Sequence, residues 1–132
     1  MDKEDHMKRS KILVIVVLIS VLLLSCSLLN IGSKFSPPTW IQGTWSDALD
    51  VTAYTFTSDN VTQTIGGYSI DLGLAYIAAT VTETSNDTLY SFTIDQSGSV
   101  ATYSFAKTSD TTVDYTVTAS GTTAPAVELT KE

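Results

Sequence analysis

Tyr90-Ser91-Phe92-Thr93-Ile94-Asp95, then Gln96-Ser97-Gly98-Ser99, then Val100-Ala101-Thr102-Tyr103-Ser104-Phe105 is the stretch that decides the fold. Successive side chains of a strand point to opposite faces, so Tyr90, Phe92 and Ile94 share one face with hydroxyls on the other, and Ala101, Tyr103 and Phe105 repeat the arrangement. The Ser-Gly pair between them supplies a tight turn. Two amphipathic strands joined this way are an antiparallel hairpin with an aromatic face.

Outward from this hairpin the pattern continues. Tyr54-Thr55-Phe56 repeats the aromatic-hydroxyl-aromatic triplet, and Tyr115 and Val117 carry the alternation toward the end of the chain. The strands are predicted over residues 43–49, 51–57, 61–65, 78–83, 88–95, 100–107, 112–119 and 126–130. The inward set comprises Tyr54, Phe56, Val81, Tyr90, Phe92, Ile94, Ala101, Tyr103, Phe105, Val113, Tyr115, Val117, Val127 and Leu129. No segment from Trp40 onward has a convincing 3.6-residue period apart from one ambiguous stretch, so the domain reads as all-β.

Two families of turns alternate along the chain. One is Thr57-Ser58-Asp59-Asn60, Thr84-Ser85-Asn86-Asp87 and Thr108-Ser109-Asp110-Thr111; the other is Gly66-Gly67, Gln96-Ser97-Gly98-Ser99 and Ser120-Gly121-Thr122. Alternation places one family at each end of an up-and-down meander, whereas a Greek key needs longer crossovers. About eight antiparallel strands closing into a small barrel is the expectation. Residues 68–79 are the ambiguous stretch, apolar at most positions and interrupted by Gly73. They read as a bulged strand, a short helix after Asp71, or a lid.

The amino-terminal end is different in kind. Lys8, Arg9 and Lys11 precede the apolar run 12–24, the layout of a secretory signal, and Leu23-Leu24-Ser25-Cys26 follows. Met7 begins a complete basic region of its own and is a candidate start. The tetrapeptide resembles the lipobox of bacterial lipoproteins, looser forms of which occur in spirochaetes. That resemblance implies cleavage before Cys26, a lipid thioether on its sulfur and fatty acylation of its amino group. The alternative is an uncleaved transmembrane anchor over residues 12–29. Either way the chain divides into a signal (1–25), a lipidated cysteine and tether (26–39) stiffened by Pro37-Pro38, and one β domain (40–132). Ser27, rather than aspartate, after the cysteine points to the outer membrane, on its periplasmic or surface face.

Beyond residue 25 the chain carries three lysines, eleven carboxylates and a net charge near −8. Such a surface repels phosphate backbones, which excludes nucleic acid as a partner. With the sole cysteine committed to lipid, no disulfide is expected. Histidine and arginine are absent from this portion, removing the commonest general base, metal ligand and anion clamp. The reading is therefore non-enzymatic, with no catalytic residue, no metal site and no cofactor. Carboxylate pairs such as Asp47 with Asp50 read as solvating turn residues, and the sequons at Asn60 and Asn86 as turns.

Trp40-Ile41-Gln42-Gly43-Thr44-Trp45 resembles the Gly-X-Trp signature that opens the first strand of lipocalins and related calycin barrels. By that resemblance Gly43 turns the chain into the strand and Trp45 plugs the closed end of the barrel. The family's late arginine over this tryptophan has no counterpart here. The resemblance implies a small barrel and not its cargo; one expectation is a small hydrophobic ligand in what room the inward tyrosines and phenylalanines leave, with Tyr68, Leu72, Leu74 and Tyr76 closing over its mouth. The competing expectation is a solid barrel whose surface binds another envelope or host protein through the same residues.

Overall fold

The aromatic-hydroxyl alternation becomes two long paired strands, β6 (Leu89–Gln96) and β7 (Ser99–Lys107), in the computed structural model, which describes residues 34–132. Their register sets Tyr90 against Phe105, Phe92 against Tyr103 and Ile94 against Ala101 on one face. On the other face Ser91 meets Ser104 at 3.0 Å and Thr93 meets Thr102 at 2.8 Å, hydroxyl to hydroxyl. Cross-strand pairs of this kind fix a register, because a one-residue slip would bury the hydroxyls and expose the rings.

The remaining strands are β1 (Gly43–Ser46), β2 (Thr52–Phe56), β3 (Val61–Ile65), β4 (Tyr68–Asp71), β5 (Thr80–Ser85), β8 (Thr112–Ala119), β9 (Thr122–Thr123) and β10 (Val127–Lys131). A one-turn helix α1 (Leu72–Ala75) follows β4, and a 3-10 turn (Thr39–Ile41) precedes β1. The sheet order is β4-β3-β2-β1-β10-β8-β7-β6-β5, every neighbouring pair antiparallel. Short β9 pairs with β8 beside β10. Pro125, which has no amide hydrogen to give a ladder, lies between β9 and β10 and divides what would otherwise be one strand.

The sheet curls but does not close, which corrects the expected eight-stranded barrel. Nine strands lie on the path, and antiparallel neighbours alternate in direction, so the two end strands β4 and β5 run the same way. An antiparallel bond across that seam is geometrically unavailable. The odd number arises in residues 68–79, where both a strand and a helix after Asp71 form. Residues 72–79 then carry the chain back from one end of the sheet to the other before β5 begins.

Turn chemistry sorts by end. At one end, Gly66-Gly67, Ser97-Gly98 and Ser120-Gly121 all have positive φ at both positions, the two-residue turn whose twist matches paired strands. The β1–β2 turn lies at this end too, with the Asp47 carboxylate accepting from the amides of Leu49, Val51 and Thr52. At the opposite end, Asn86 Oδ1 accepts from the amides of Thr88 and Leu89, and Thr57 and Asn60 close the β2–β3 turn.

Of the expected inward set, Tyr54, Phe56, Tyr90, Phe92, Ile94, Phe105, Val113 and Leu129 are buried, and Val81, Tyr103 and Tyr115 pack partly buried against them. Val127 remains 41% exposed. Ile41, Val61, Leu72 and Ala79 join the core, as does Phe35, which lies in the expected tether. Residues 34–39 thus belong to the folded unit. The expectations for the signal, for Cys26 and for the tether up to residue 33 lie outside the described residues.

Candidate functional site: the concave face of the half-barrel

Inward parity is fixed by the buried rings, and following it along β2, β3 and β4 brings Tyr54, Gln63 and Ile70 side by side, with Ile65 beside Tyr68 one step nearer the glycine-turn end. Across the sheet Val127 stands beside Tyr115 on the same face. Polar groups converge on the middle of this surface. Gln63 Nε2 donates to the Tyr54 hydroxyl at 2.6 Å, and that hydroxyl donates to the Tyr115 hydroxyl at 2.6 Å. Tyr103 and Tyr76 interact nearby through their hydroxyls.

The direction of this relay matters. Tyr54 spends its proton on Tyr115, so the Tyr115 proton is what the relay offers onward. Burial, reinforced by the bond to Tyr115, pushes the Tyr54 phenol far above its ordinary value, and burial also raises Tyr103 and Tyr115. These hydroxyls are therefore neutral donors at physiological pH.

The four residues expected to form a mouth are separated. Leu72 is buried in the core under α1, and Tyr76 is half-buried against the same core. Tyr68 and Leu74 are 81% and 68% exposed, Tyr68 at the tip of the β3–β4 hairpin and Leu74 on the helix. One apolar run thus divides between core and surface, because α1 turns Leu72 inward and Leu74 outward within a single turn. Asp71 caps α1 by accepting from the Leu74 amide at 3.0 Å, and its carboxyl is held below the ordinary range by Asn60 first and by that amide second.

Gly43 and Trp45 sit together at the start of β1. Gly43 has φ of +121°, and a Cβ there would lie 3.1 Å from Lys131 Cε. Trp45 is fully buried and its indole donates to the Ile41 carbonyl at 2.6 Å. The Lys131 ammonium lies 5.3 Å from the centre of its ring, which places a cation over the indole. Sequence reasoning passed over Lys131, whose only signal is being a lone cation near the end of an acidic chain.

The amino-terminal strap was also passed over. Lys34 Nζ donates to the Ala79 carbonyl at 2.5 Å, the Ser36 amide to Glu83 Oε1 at 2.7 Å, and the Trp40 indole to the Asn86 carbonyl at 2.8 Å. These contacts follow β5 from its beginning to its end, along one side of the seam. Phe35 fills the core there.

Compared with known proteins, the chain matches no protein-family model, no curated sequence and no solved structure.

Proposed function

We propose that the chain is a bacterial lipoprotein, cleaved before Cys26 and held on the outer membrane by fatty acyl groups, whose small lipocalin-like half-barrel binds a small hydrophobic ligand without transforming it. The leader's basic, apolar and Leu-Leu-Ser-Cys sequence supports the anchor. The observation that carries the binding reading is a set of apolar side chains left open on the concave face. Ile65, Ile70 and Val127 share the side of the buried aromatics, yet they are 47%, 44% and 41% exposed. Apolar side chains left open on an inner face, beside a few convergent polar groups, are the usual lining of a ligand site. The Tyr115 hydroxyl favours a ligand with a hydrogen-bond acceptor, such as a carbonyl or ester oxygen, on an apolar body.

The test is to extract the protein purified from membranes and read the extract by mass spectrometry. One amphiphile present in near-equal amount to protein, and lost in Ile70→Asp, is expected. An empty extract, together with no uptake of an apolar fluorophore by the protein, overturns ligand binding. Fatty-acid labelling that is absent from wild type, or persists in Cys26→Ala, overturns the anchor.

A second reading has its own observation. β4 ends the sheet and bears Tyr68 and Ile70, so a segment of an envelope or host protein could extend the sheet there by adding a strand. In that case the extract is empty and Ile70→Asp weakens a protein complex instead.

A further inference from the structure

Nine large apolar side chains stand exposed among the described residues, and they are not scattered. Leu49 and Val51 lie in the β1–β2 turn, Ile65 and Tyr68 flank Gly66-Gly67, and Val100 lies next to the β6–β7 turn. All five therefore belong to the glycine-turn end of the sheet, whereas Val127 stands mid-sheet beside Tyr115. Ile77 lies on the return path close to where β5 starts at that end. The opposite end carries Asp59, Asp87 and Asp110 in its turns, and those turns hold none of these exposed apolar side chains.

Of the three carboxylates at the glycine-turn end, Asp47 spends its oxygens on three backbone amides and Asp95 accepts from the Gly98 amide, which leaves Asp50 exposed between Leu49 and Val51, while residues 120–127 hold no charged side chain. An apolar rim broken by few free charges is a surface that gains by leaving water.

The chain itself says what covers this rim. Its first described residue, Lys34, is bonded to Ala79, immediately before β5 begins at the same end. Residues 34–40 are held along β5, so only residues 27–33 remain between the fold and Cys26. Fully extended, they span about 25 Å. A folded unit of this size is about 35 Å across. The tether thus keeps the glycine-turn end, and not the opposite one, within reach of whatever holds Cys26.

From this we propose that the glycine-turn end rests on the lipid bilayer, with Leu49 and Tyr68 in its interfacial layer and the concave face opening toward the membrane. The inference rests on the lipoprotein reading. A tyrosine with an apolar ring and a polar tip suits that layer, as do aliphatic side chains on turns. A ligand of the concave face would then enter from the lipid itself.

The experiment uses the full lipidated protein, in which Cys26 is blocked, so that one introduced cysteine is the only thiol. Leu49→Cys, Tyr68→Cys and, at the far end, Asp87→Cys are labelled with an environment-sensitive fluorophore and reconstituted in phosphatidylcholine vesicles containing nitroxide-labelled lipid. All three positions are exposed, and circular dichroism checks the fold. A blue shift and several-fold stronger quenching at positions 49 and 68 than at 87 are expected. Equal quenching at all three, or a blue shift at the rim without lipid quenching, overturns the proposal while leaving the anchor intact. Absence of fatty acid on Cys26 removes the anchor and this inference together, and labelling reads that separately.

Discussion

Phe35 and Phe92 meet edge to face, with ring centroids 5.1 Å apart and planes at 79°. The pair ties a residue that precedes the first strand to the middle of β6, and edge-to-face contact adds attraction beyond the burial of area. Glu83 supports the junction from β5, accepting from the Ser36 amide and from the Tyr90 hydroxyl at once. The strap is consequently part of the core.

Phe35→Ala should therefore cost about 3 to 5 kcal/mol, the range for deleting a buried aromatic. Chemical denaturation of wild type and variant measures it. A chain beginning at Trp40 should lose at least as much, since it also lacks the bonds of Lys34 and Ser36. An unchanged midpoint in both would return the strap to the status of a linker.

At the start of β1 the positive φ of Gly43 and the approach of Lys131 act together. Gly43→Ala strains the backbone and pushes a methyl group against Lys131 Cε, so a loss of about 1 to 3 kcal/mol is expected. Lys131→Met keeps the aliphatic stem and removes the charge over Trp45, and should cost about 0.5 to 2 kcal/mol. Thermal melts followed by tryptophan fluorescence check both. If Lys131→Met melts with wild type, the ammonium contributes nothing to holding the indole.

Residues 72 and 74 separate core from surface. Leu72→Asp places a carboxylate in the core and should unfold the domain, whereas Leu74→Asp, on the open side of α1, should leave the melting midpoint nearly unchanged. Asp71→Ala removes the cap on α1 and should cost about 1 kcal/mol. The depressed carboxyl of Asp71 stabilises the fold above the ordinary aspartate range, so the loss should shrink as pH falls through that range and vanish below the lowered folded value. Urea titrations at neutral and acid pH give both numbers.

The sheet was legible where its causes are local. Period-two alternation set the faces of β6 and β7, and Ser97-Gly98 and Gly66-Gly67 announced turns that need positive φ. Closure was not legible, because it depends on a parity. Tyr68-Ser69-Ile70-Asp71 alternates as a strand should, but the apolar Leu72-Gly73-Leu74-Ala75 behind it blurred the period, and one extra strand makes the two edges run the same way. Phe35 stayed hidden for another reason. A single aromatic in a polar, proline-ended segment has no periodicity, and only its contact with Phe92, made in the folded sheet, gives it a place to go. Leu72 and Leu74, two residues apart, have opposite fates because one helical turn carries both.

The concave tyrosines supply a pH test of the whole inner face. Burial raises Tyr54 and Tyr90 most, with Tyr115 reinforcing the effect on the first and the Glu83 charge on the second, and Tyr103 and Tyr115 also rise through burial. A group whose folded pKa is raised contributes stability that is complete below its unfolded pKa and is lost as pH climbs above it. Unfolded tyrosine ionises near pH ~10, so stability should be level up to about that pH and then fall steeply. Tyrosinate absorbance from Tyr54, Tyr90, Tyr103 and Tyr115 should appear only with loss of the fold. Tyr54→Phe keeps the ring but strands Gln63 and Tyr115, and it should lower stability at neutral pH while flattening the alkaline limb. Titration of these four phenols near the ordinary tyrosine value, with the sheet still folded, would show that the hydroxyls stand in water and that no relay reaches Tyr115.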